Sequence, residues 1–525
     1  MPELSSADHH QSPPELLIPR DYNAAYDLIE RNLRAGRGDK TAIIDDKGSY
    51  SYAELARRVD RAANALTTIG LVQEDRIMVC LHDSVDFPTV FLGAIKAGIL
   101  PIATNTLLTS RDYDFMLGDS RAKALVVSEA LWPVFAPIVA KQKFLRRVII
   151  SGDQGELLLK DLLAGAADRF EAAPTTCDDP CFWLYSSGST GTPKGTVHLH
   201  SHLIATAELY GRAILGILDT DVVYSAAKLF FAYGLGNGMT FPMSVGATAV
   251  LMAERPTPAS VFERLKKHRP TIFYGVPTLY AAMLASPDLP KRGELALRVC
   301  TSAGEALPAD IGRRYSEHFG VEILDGIGST EMLHIFLSNR PGDVRYGTTG
   351  RAVPGYELRL VGETGDPVAP GEIGELQIGG PTSALMYWNN REKTKNTFMG
   401  PWTRSGDKYV VDADGYYAYC GRSDDMLKVS GIYVSPFEVE GALMTHPAVL
   451  EAAVVPHTDV DELVKPKAYI VLKQGVAATE QLAEELKQHV KHSLAPYKYP
   501  RWIEFQDELP KTATGKIQRF KLRAG

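Results

Sequence analysis

The chain has 525 residues, which is too long for one compact hydrophobic core, so two or more domains are expected. Its 45% hydrophobic and 23% charged residues are normal for a soluble globular protein, and a net charge of −7 argues against a general nucleic-acid-binding protein. The cysteines number five and are scattered, which argues against a disulfide framework and indicates a reducing compartment.

The N-terminal segment and the apolar stretches predict a cytoplasmic protein without a membrane partner. The first residues, MPELSSADHHQSPPELL, have no basic region followed by an apolar core, so they do not resemble a signal peptide. The longest apolar stretch, FPTVFLGAIKAGILPIAT, is interrupted by Lys96 and two prolines. This composition favours a buried helix and strand over a membrane span.

Residues 40–330 alternate short apolar runs with helical patterns. RIMVCL (76–81), ILPIAT (99–104) and KALVVS (123–128) are typical of buried strands, and VDFPTVFLGAIKAG (85–98) is typical of a helix. The alternation continues from ATAVLM (247–252) to VEILDG (321–326). It predicts an α/β fold with mostly parallel sheets that are covered by helices.

The pattern changes after about residue 340. GYELRLVGETGDPVAPGEIGELQIGG (355–380) has turn residues at short intervals and predicts a small, barrel-like antiparallel part. The segments from VLEAAVVP (449–456) to RWIEFQ (501–506) predict a compact α+β unit. We therefore expect a large N-terminal domain at 1–421, a boundary at 422–425 and a smaller C-terminal domain at 426–525.

The segment YSSGSTGTPKG (185–195) combines glycines, hydroxyl groups and Lys194 directly after an apolar strand pattern. Glycines let the backbone approach a ligand, and hydroxyl donors with one cation suit phosphate oxygens. The Walker pattern fails, because Pro193 stands where its second glycine is required and Gly195 stands where it requires Ser or Thr. A mobile surface loop is the alternative interpretation.

A metal site is a second alternative for this region, formed by Cys177, Cys181, His198, His200 and His202. The spacing of these residues does not match the usual zinc patterns. The sequence HLHSH brings its three imidazoles to one face only if it is a strand.

Five further segments follow the loop in order: TSAGEAL (301–307), GIGSTE (326–331), TRSGD (403–407), GRSDDMLKVSG (421–431) and PKTATGK (510–516). Together with the loop they resemble the signatures of the adenylate-forming superfamily, which includes acyl-CoA synthetases, luciferases and peptide-synthetase adenylation domains. The resemblance implies that a carboxylate attacks ATP to form an acyl-adenylate and pyrophosphate. A thiol, here coenzyme A, then displaces AMP.

The resemblance also implies roles for individual residues. Lys516, Thr330 and Glu331 are the expected catalytic residues, and Glu331 is the expected Mg²⁺ ligand. The expected ATP-binding residues are Ser186, Ser189, Thr190, Lys194, Gly304, Glu305, Ala306, Asp325, Gly326, Thr330, Asp407, Arg422 and Lys516.

In the superfamily, the C-terminal domain rotates between the two reactions. Asp424 matches the hinge, and Lys428, Ser430 and Gly431 are expected to line the entry of the thiol. PKTATGK resembles a segment that lysine acetyltransferases modify, so an acetyltransferase and a deacetylase acting on Lys516 are expected partners. Relatives are often homodimers, and we expect the same here.

The expected acyl pocket is apolar and aromatic. The segment LFFAYGLGNG (229–238) offers no carboxylate for an ammonium group, and Gly328 stands where acetate-specific relatives place a tryptophan. The pocket is expected to comprise Phe231, Ala232, Tyr233, Gly328, His334 and Ile335. Flat aromatic walls favour an aryl carboxylate. The resemblance, in this pocket and along the chain, implies benzoate as the first expectation, with 2-aminobenzoate or a halobenzoate as alternatives.

Three other functions are weighed against a CoA ligase. An adenylating enzyme with another acceptor, such as a carrier protein, would not depend on coenzyme A. A non-catalytic binding protein is disfavoured because Lys516, Glu331 and Asp407 are present. A kinase is disfavoured by the failed Walker pattern, and it would release ADP instead of AMP.

Overall fold

A computed structural model describes residues 2–186, 193–423, 426–429, 432–459, 464–511 and 517–523, with Lys428, Ile432, Tyr433, Pro496 and Phe520 described by their backbone alone. The described chain is an α/β protein with two large mixed sheets, a smaller antiparallel sheet and a C-terminal α+β part. This architecture confirms the fold class predicted from the alternation of strand and helix patterns.

The first large sheet has seven strands in the described chain. It is parallel in the middle and antiparallel at one edge, where the strand Lys194–Leu199 pairs with both of its neighbours. In spatial order its strands are Met386–Tyr387, Lys194–Leu199, Pro180–Ser186, Leu100–Ala103, Arg76–Cys80, Ala124–Ser128 and Arg147–Ser151.

The second large sheet has nine strands among the described residues and a parallel centre. Both of its edges are antiparallel. In spatial order its strands are Arg351–Ala352, Ile335–Ser338, Ile323–Gly328, Val299–Ser302, Ile272–Gly275, Val222–Ser225, Thr248–Val250, Thr41–Ile44 and Ser49–Ser51.

Helices cover these sheets and fill the space between them. Gly93 lets the helices Tyr52–Thr68 and Asp86–Lys96 pack closely, because a Cβ at this position would lie 2.6 Å from the Cβ of Ala62. The helix Tyr52–Thr68 begins at a capping box formed by Ser51 and Glu54. One continuous cluster of buried side chains joins the two sheets and these helices. The other helices up to residue 320 are Ala24–Arg34, Ser110–Ser120, Trp132–Val139, Leu159–Gly165, His200–Thr206, Ala232–Leu235, Phe241–Val245, Pro258–His268, Pro277–Leu284 and Ala309–Phe319.

Two π-helical turns interrupt this pattern, at Ala207–Arg212 and Gly236–Thr240. Each continues directly from a short α-helix, and π-helical turns are frequent at functional sites. Both carry side chains that pack against the same buried histidine, His334.

The smaller sheet is antiparallel and lies within residues 357–422. Its strands are Glu357–Val361, Gly374–Gly379, Phe398–Met399, Trp402–Val411 and Tyr417–Arg422, and the helix Arg391–Thr397 precedes the third of them. Turn residues predicted this antiparallel part correctly.

The C-terminal part has its own hydrophobic core. It contains a hairpin at Leu427–Val429 and Ile432–Val434, and a sheet with the strands Val449–Thr458, Val464–Leu472 and Trp502–Phe505. The helices are Pro436–Met444, Glu480–Ser493 and Arg519–Leu522. Within the described ranges, no helix is both long and apolar enough to span a membrane.

Candidate active site

The two strands that flank the glycine-rich loop bring Ser186 and Lys194 together. The strands Pro180–Ser186 and Lys194–Leu199 pair antiparallel, with Ser186 directly opposite Lys194. Both side chains are half-buried. Burial lowers the pKa of the Lys194 ammonium, while the charge of Glu331 acts in the opposite direction.

Glu331 lies in the bend that joins the strands Ile323–Gly328 and Ile335–Ser338. Its Oε1 accepts a hydrogen bond from the hydroxyl of Tyr387 at 2.7 Å and a longer one from Ser186 Oγ at 3.4 Å. The described residues donate no hydrogen bond to its Oε2. A half-buried carboxylate oxygen of this kind fits a hard divalent cation such as Mg²⁺.

A pair of buried histidines, His198 and His202, fixes the backbone of this bend. His198 Nε2 lies 2.7 Å from the carbonyl oxygen of Thr330, so Nε2 must carry the hydrogen. His198 Nδ1 then accepts from Nδ1–H of His202 at 3.0 Å. Burial lowers the pKa of His198 to about 4, which keeps the imidazole neutral. The positive φ of Leu333, 65°, adds to the sharpness of the bend.

The histidines of HLHSH do not form one face. His198 lies in a strand, whereas His200 and His202 lie in the helix His200–Thr206. His200 Nδ1 accepts from the backbone N–H of Ala24, at 3.1 Å, and so it faces a different part of the core. No cluster of metal-ligating side chains was found among the described residues.

The segment at 304–306 lies next to the C-terminal part of the chain. Gly304 has a left-handed backbone with φ of 94°, a conformation that favours glycine. Glu305 Oε1 accepts from the backbone N–H of Ile517 at 3.3 Å. This contact brings the residue that follows Lys516 to the edge of the candidate nucleotide site.

Asp325 and Gly326 lie on the neighbouring strand Ile323–Gly328. Asp325 is buried, and burial raises the pKa of its carboxyl group well above the usual value, although the backbone N–H groups of Leu307 and Gly326 oppose this shift. Its Oδ1 has no hydrogen-bond partner in the described structure.

Asp407 and Arg422 face each other on the strands Trp402–Val411 and Tyr417–Arg422. Arg422 Nη1 donates to Asp407 Oδ1 at 3.1 Å and to the carbonyl oxygen of Ser405 at 2.9 Å. Asp407 is 8% exposed. The pair therefore presents a fixed carboxylate beside a fixed guanidinium group.

The predicted aryl pocket is closed by aromatic rings around His334. The ring centroids of Tyr233 and His334 lie 5.6 Å apart, and His334 Nε2 lies 3.2 Å from the carbonyl oxygen of Tyr233 and from Asn237 Oδ1. Both of these atoms are acceptors, so Nε2 carries the hydrogen. Burial lowers the pKa of His334 to about 3, which keeps this wall of the pocket uncharged.

The other predicted pocket residues lie around the same rings. Phe231 and Ala232 begin the short helix that carries Tyr233, and the hydroxyl of Tyr233 is hydrogen-bonded to Thr301 Oγ1. Ile335 is buried beside His334. A Cβ at Gly328 would lie 2.6 Å from the backbone carbonyl group of His334, so glycine is required here for steric reasons.

Several predicted site residues lie outside the described residues: Ser189, Thr190, Asp424, Ser430, Gly431 and Lys516. The side chain of Lys428 is likewise outside the description.

Three residues that contact the site, directly or through a neighbour, were not predicted from the sequence. Tyr387 contacts both Lys194 and Glu331, and His198 with His202 fixes the carbonyl of Thr330. The spacing of His198 and His202 suggests metal binding, and it carries no sign of the contact with Thr330. No sequence pattern marks Tyr387 as a site residue, because it is distant in sequence from Lys194 and Glu331, which it contacts.

Known proteins are similar to this chain along nearly its whole length. The AMP-binding enzyme family matches residues 29–388, and the AMP-binding enzyme C-terminal domain matches residues 438–516. The chain is 68% identical to a benzoate–CoA ligase of Thauera aromatica, with 99% of each chain covered. It is 53% identical to a 4-hydroxybenzoate–CoA/benzoate–CoA ligase of Rhodopseudomonas palustris, covering 96% of this chain and 94% of the relative. A solved benzoate CoA ligase from Burkholderia xenovorans LB400 has a TM-score of 0.91 at 58% identity, covering 96% of this chain and 100% of that structure.

Proposed function

The chain belongs to the family of AMP-binding enzymes, and from this premise we propose that it is an AMP-forming benzoate–CoA ligase. It converts benzoate, ATP and coenzyme A to benzoyl-CoA, AMP and diphosphate. One observation supports the choice of acid. The neutral, buried ring of His334, only three residues after Glu331, packs at a tilt against the ring of Tyr233, with centroids 5.6 Å apart. Uncharged aromatic side chains therefore adjoin the candidate phosphate site.

In the first reaction a carboxylate oxygen of benzoate attacks the α-phosphorus of ATP. A bond forms between that oxygen and phosphorus, and the bond to the bridging oxygen of the diphosphate breaks. Lys194, with Ser186, Ser189 and Thr190, binds the phosphates. Negative charge grows on the departing diphosphate, and fixed cations near it stabilise the transition state.

Glu331 would hold Mg²⁺ through its carboxylate, which Tyr387 orients, and Thr330 contacts phosphate. When bound, Mg²⁺ neutralises phosphate charge. Asp407 accepts hydrogen bonds from the ribose hydroxyls, and Arg422, which donates to Asp407, contacts the same ribose. Gly304, Glu305 and Ala306 line the adenine, and Asp325 and Gly326 also belong to the ATP site.

Lys516 bridges the benzoate carboxylate and the α-phosphate during this step, which orients the attack and balances its charge. The contact between the N–H of Ile517 and Glu305 supports this assignment, because it brings the adjoining residue to the nucleotide side.

In the second reaction the C-terminal domain, 426–525, rotates about Asp424 in the hinge at 422–425. Lys428, Ser430 and Gly431 then line the entry of coenzyme A. The thiol sulfur forms a bond to the benzoyl carbonyl carbon, AMP departs with the electrons of the broken C–O bond, and the thiol proton passes to solvent. Rotation separates the two reactions, since Lys516 would otherwise obstruct the thiol.

The test is release of pyrophosphate and AMP across a panel of acids: benzoate, 2-aminobenzoate, halobenzoates, 4-coumarate, hexanoate and acetate. Benzoate should have the largest kcat/KM, and AMP release should depend on coenzyme A. A Lys516→Ala variant should lose adenylation but still convert supplied benzoyl-adenylate to the thioester. Equal loss of both half-reactions would contradict domain rotation, and ADP as the product would contradict the proposed reaction.

We also propose that the enzyme is a cytoplasmic homodimer and that acetylation of Lys516 inactivates it by removing the charge used in the first step. Analytical ultracentrifugation tests the dimer. Mass spectrometry with an adenylation assay before and after deacetylase treatment tests the modification, and full activity of the acetylated enzyme would contradict it.

A further inference from the structure

Tyr387 lies between the two opposite charges of the candidate phosphate site. Lys194 Nζ lies 4.6 Å from the centroid of the Tyr387 ring, which is a favourable cation–π distance. On the other side, the Tyr387 hydroxyl donates to Glu331 Oε1 at 2.7 Å. In the described part of the chain no direct ion pair joins Lys194 to Glu331, although the charge of Glu331 acts on Lys194.

The surrounding structure holds Tyr387 rigidly in this position. The short strand Met386–Tyr387 pairs antiparallel with Thr196 and Val197 on the strand that begins at Lys194. The backbone N–H of Tyr387 donates to Thr394 Oγ1 at 3.1 Å, and its ring lies 5.3 Å from that of Phe398. Tyr387 is 2% exposed, so its ring has little freedom to move away from the two charges.

We propose that Tyr387 is a positioning residue that keeps Lys194 and Glu331 apart, so that the ammonium and the carboxylate do not neutralise each other before ATP binds. The ring separates the charges, and its hydroxyl orients the carboxylate. Two opposite charges in a partly desolvated site attract strongly, and without the ring they would form an ion pair. A paired ammonium binds phosphate less well, and a paired carboxylate binds a divalent cation less well.

This inference rests on the proposed function, because that function assigns Lys194 to phosphate and Glu331 to Mg²⁺. Two variants separate the contributions of Tyr387. Tyr387→Phe keeps the ring and removes the hydroxyl, whereas Tyr387→Leu removes both. The matched control is Phe398→Leu, which removes ring packing next to Tyr387 and touches neither charge.

The first measurement is ATP binding by calorimetry in EDTA, which needs no metal and no turnover. Tyr387→Leu should weaken metal-free ATP binding about tenfold, because Lys194 is then paired with Glu331. Tyr387→Phe and Phe398→Leu should bind ATP with a Kd within about twofold of that of the unaltered enzyme, since both keep the charges apart. The double variant Tyr387→Leu/Glu331→Gln should recover the lost affinity, because Lys194 no longer has a carboxylate to pair with.

The second measurement is the Mg²⁺ concentration that half-activates pyrophosphate release with benzoate. Tyr387→Phe should raise it about tenfold, the usual effect of losing a group that orients a metal ligand. Phe398→Leu should leave it unchanged.

The outcomes separate this inference from the proposed function. If Tyr387→Leu and its double variant bind metal-free ATP equally poorly, or if both single Tyr387 variants behave like Phe398→Leu, the positioning role is wrong. If the unaltered enzyme releases no pyrophosphate with any aryl acid, the proposed function fails instead. If circular dichroism shows that Tyr387→Leu folds poorly, the Mg²⁺ dependence of Tyr387→Phe alone tests the positioning role, and an unchanged half-activating Mg²⁺ concentration would contradict it.

Discussion

Arg422 Nη1 donates a 3.1 Å hydrogen bond to Oδ1 of Asp407, directly across two neighbouring antiparallel strands. The backbone makes room for this contact at Gly406, where φ is 72° and a Cβ would lie 2.8 Å from Arg422 Nη2. The register of the two strands thus fixes the carboxylate that we assign to the ribose of ATP.

Asp407→Asn should weaken ATP binding by about 10- to 100-fold, because hydrogen bonds to a charged group contribute about 1.5–3 kcal/mol. The KM for ATP should rise while the KM for benzoate changes little. Asp412→Asn is the matched control, since Asp412 directly follows the strand that carries Asp407 but is exposed and paired with Arg345. An unchanged affinity for ATP in Asp407→Asn would remove this residue from the nucleotide site.

His198→Phe should lower kcat/KM for ATP about tenfold while leaving a folded protein. The ring stacks on Phe182 at a centroid distance of 5.3 Å, so phenylalanine keeps the packing. It cannot donate to the carbonyl oxygen of Thr330 or accept from His202, which removes the bonds that fix the bend before Glu331. His200→Asn, in the same segment but away from Thr330, serves as the control. Equal losses in both variants would indicate a general packing effect.

The order of elements was predictable because strand and helix periodicities are local properties of the sequence. The apolar run RIMVCL and the helical pattern at 85–98 were correctly predicted, and they form the strand Arg76–Cys80 and the helix Asp86–Lys96. The antiparallel edges of the two large sheets were not predicted, because pairing such as that between Lys194–Leu199 and Met386–Tyr387 joins residues far apart in sequence.

In the candidate site, too, residues within local motifs were predictable, whereas residues that act through long-range contacts were not. Glu331, Lys194 and Asp407 lie within short motifs, so a resemblance could assign them. Tyr387 and His198 act through contacts with distant residues, and neither contact has a local pattern. The π-helical turn that carries Asn237 to His334 could not be predicted either, since its extra residue follows from tertiary packing.

Gly328→Ala should destabilise the protein and reduce benzoate activation, whereas Gly326→Ala should have a much smaller effect. A Cβ at Gly328 would lie 2.6 Å from the backbone carbonyl of His334, which cannot move without shifting the aryl pocket. At Gly326 the nearest atoms are Cγ2 of Ile335 at 3.1 Å and the backbone oxygen of Leu337 at 3.2 Å, so the neighbours need to shift much less than at Gly328. Overpacking of this kind costs about 1–3 kcal/mol, which thermal unfolding and the KM for benzoate would detect. Equal melting temperatures for the two variants would contradict the steric argument.

His200 should make folding stability sensitive to acid. It is 1% exposed, and burial lowers its pKa in the folded protein to about 4 from the ordinary value of 6.5 for histidine. The unfolded chain therefore binds a proton at a higher pH than the folded protein does. The stability that the neutral imidazole contributes is complete above about pH 6.5 and is lost as the pH falls towards 4.

His200→Asn tests this relationship, because the asparagine side-chain oxygen can still accept from the N–H of Ala24 but cannot titrate. Between pH 7.5 and pH 4.5 the free energy of unfolding, measured with urea, should fall by about 2 kcal/mol less in the variant than in the unaltered protein. Leu203→Ala, in the same helix and equally buried, leaves a cavity without a titrating group and should lower stability by the same amount at both pH values. If His200→Asn behaves like Leu203→Ala, the acid sensitivity of this protein arises at other buried histidines, such as His334, whose pKa is lowered to about 3.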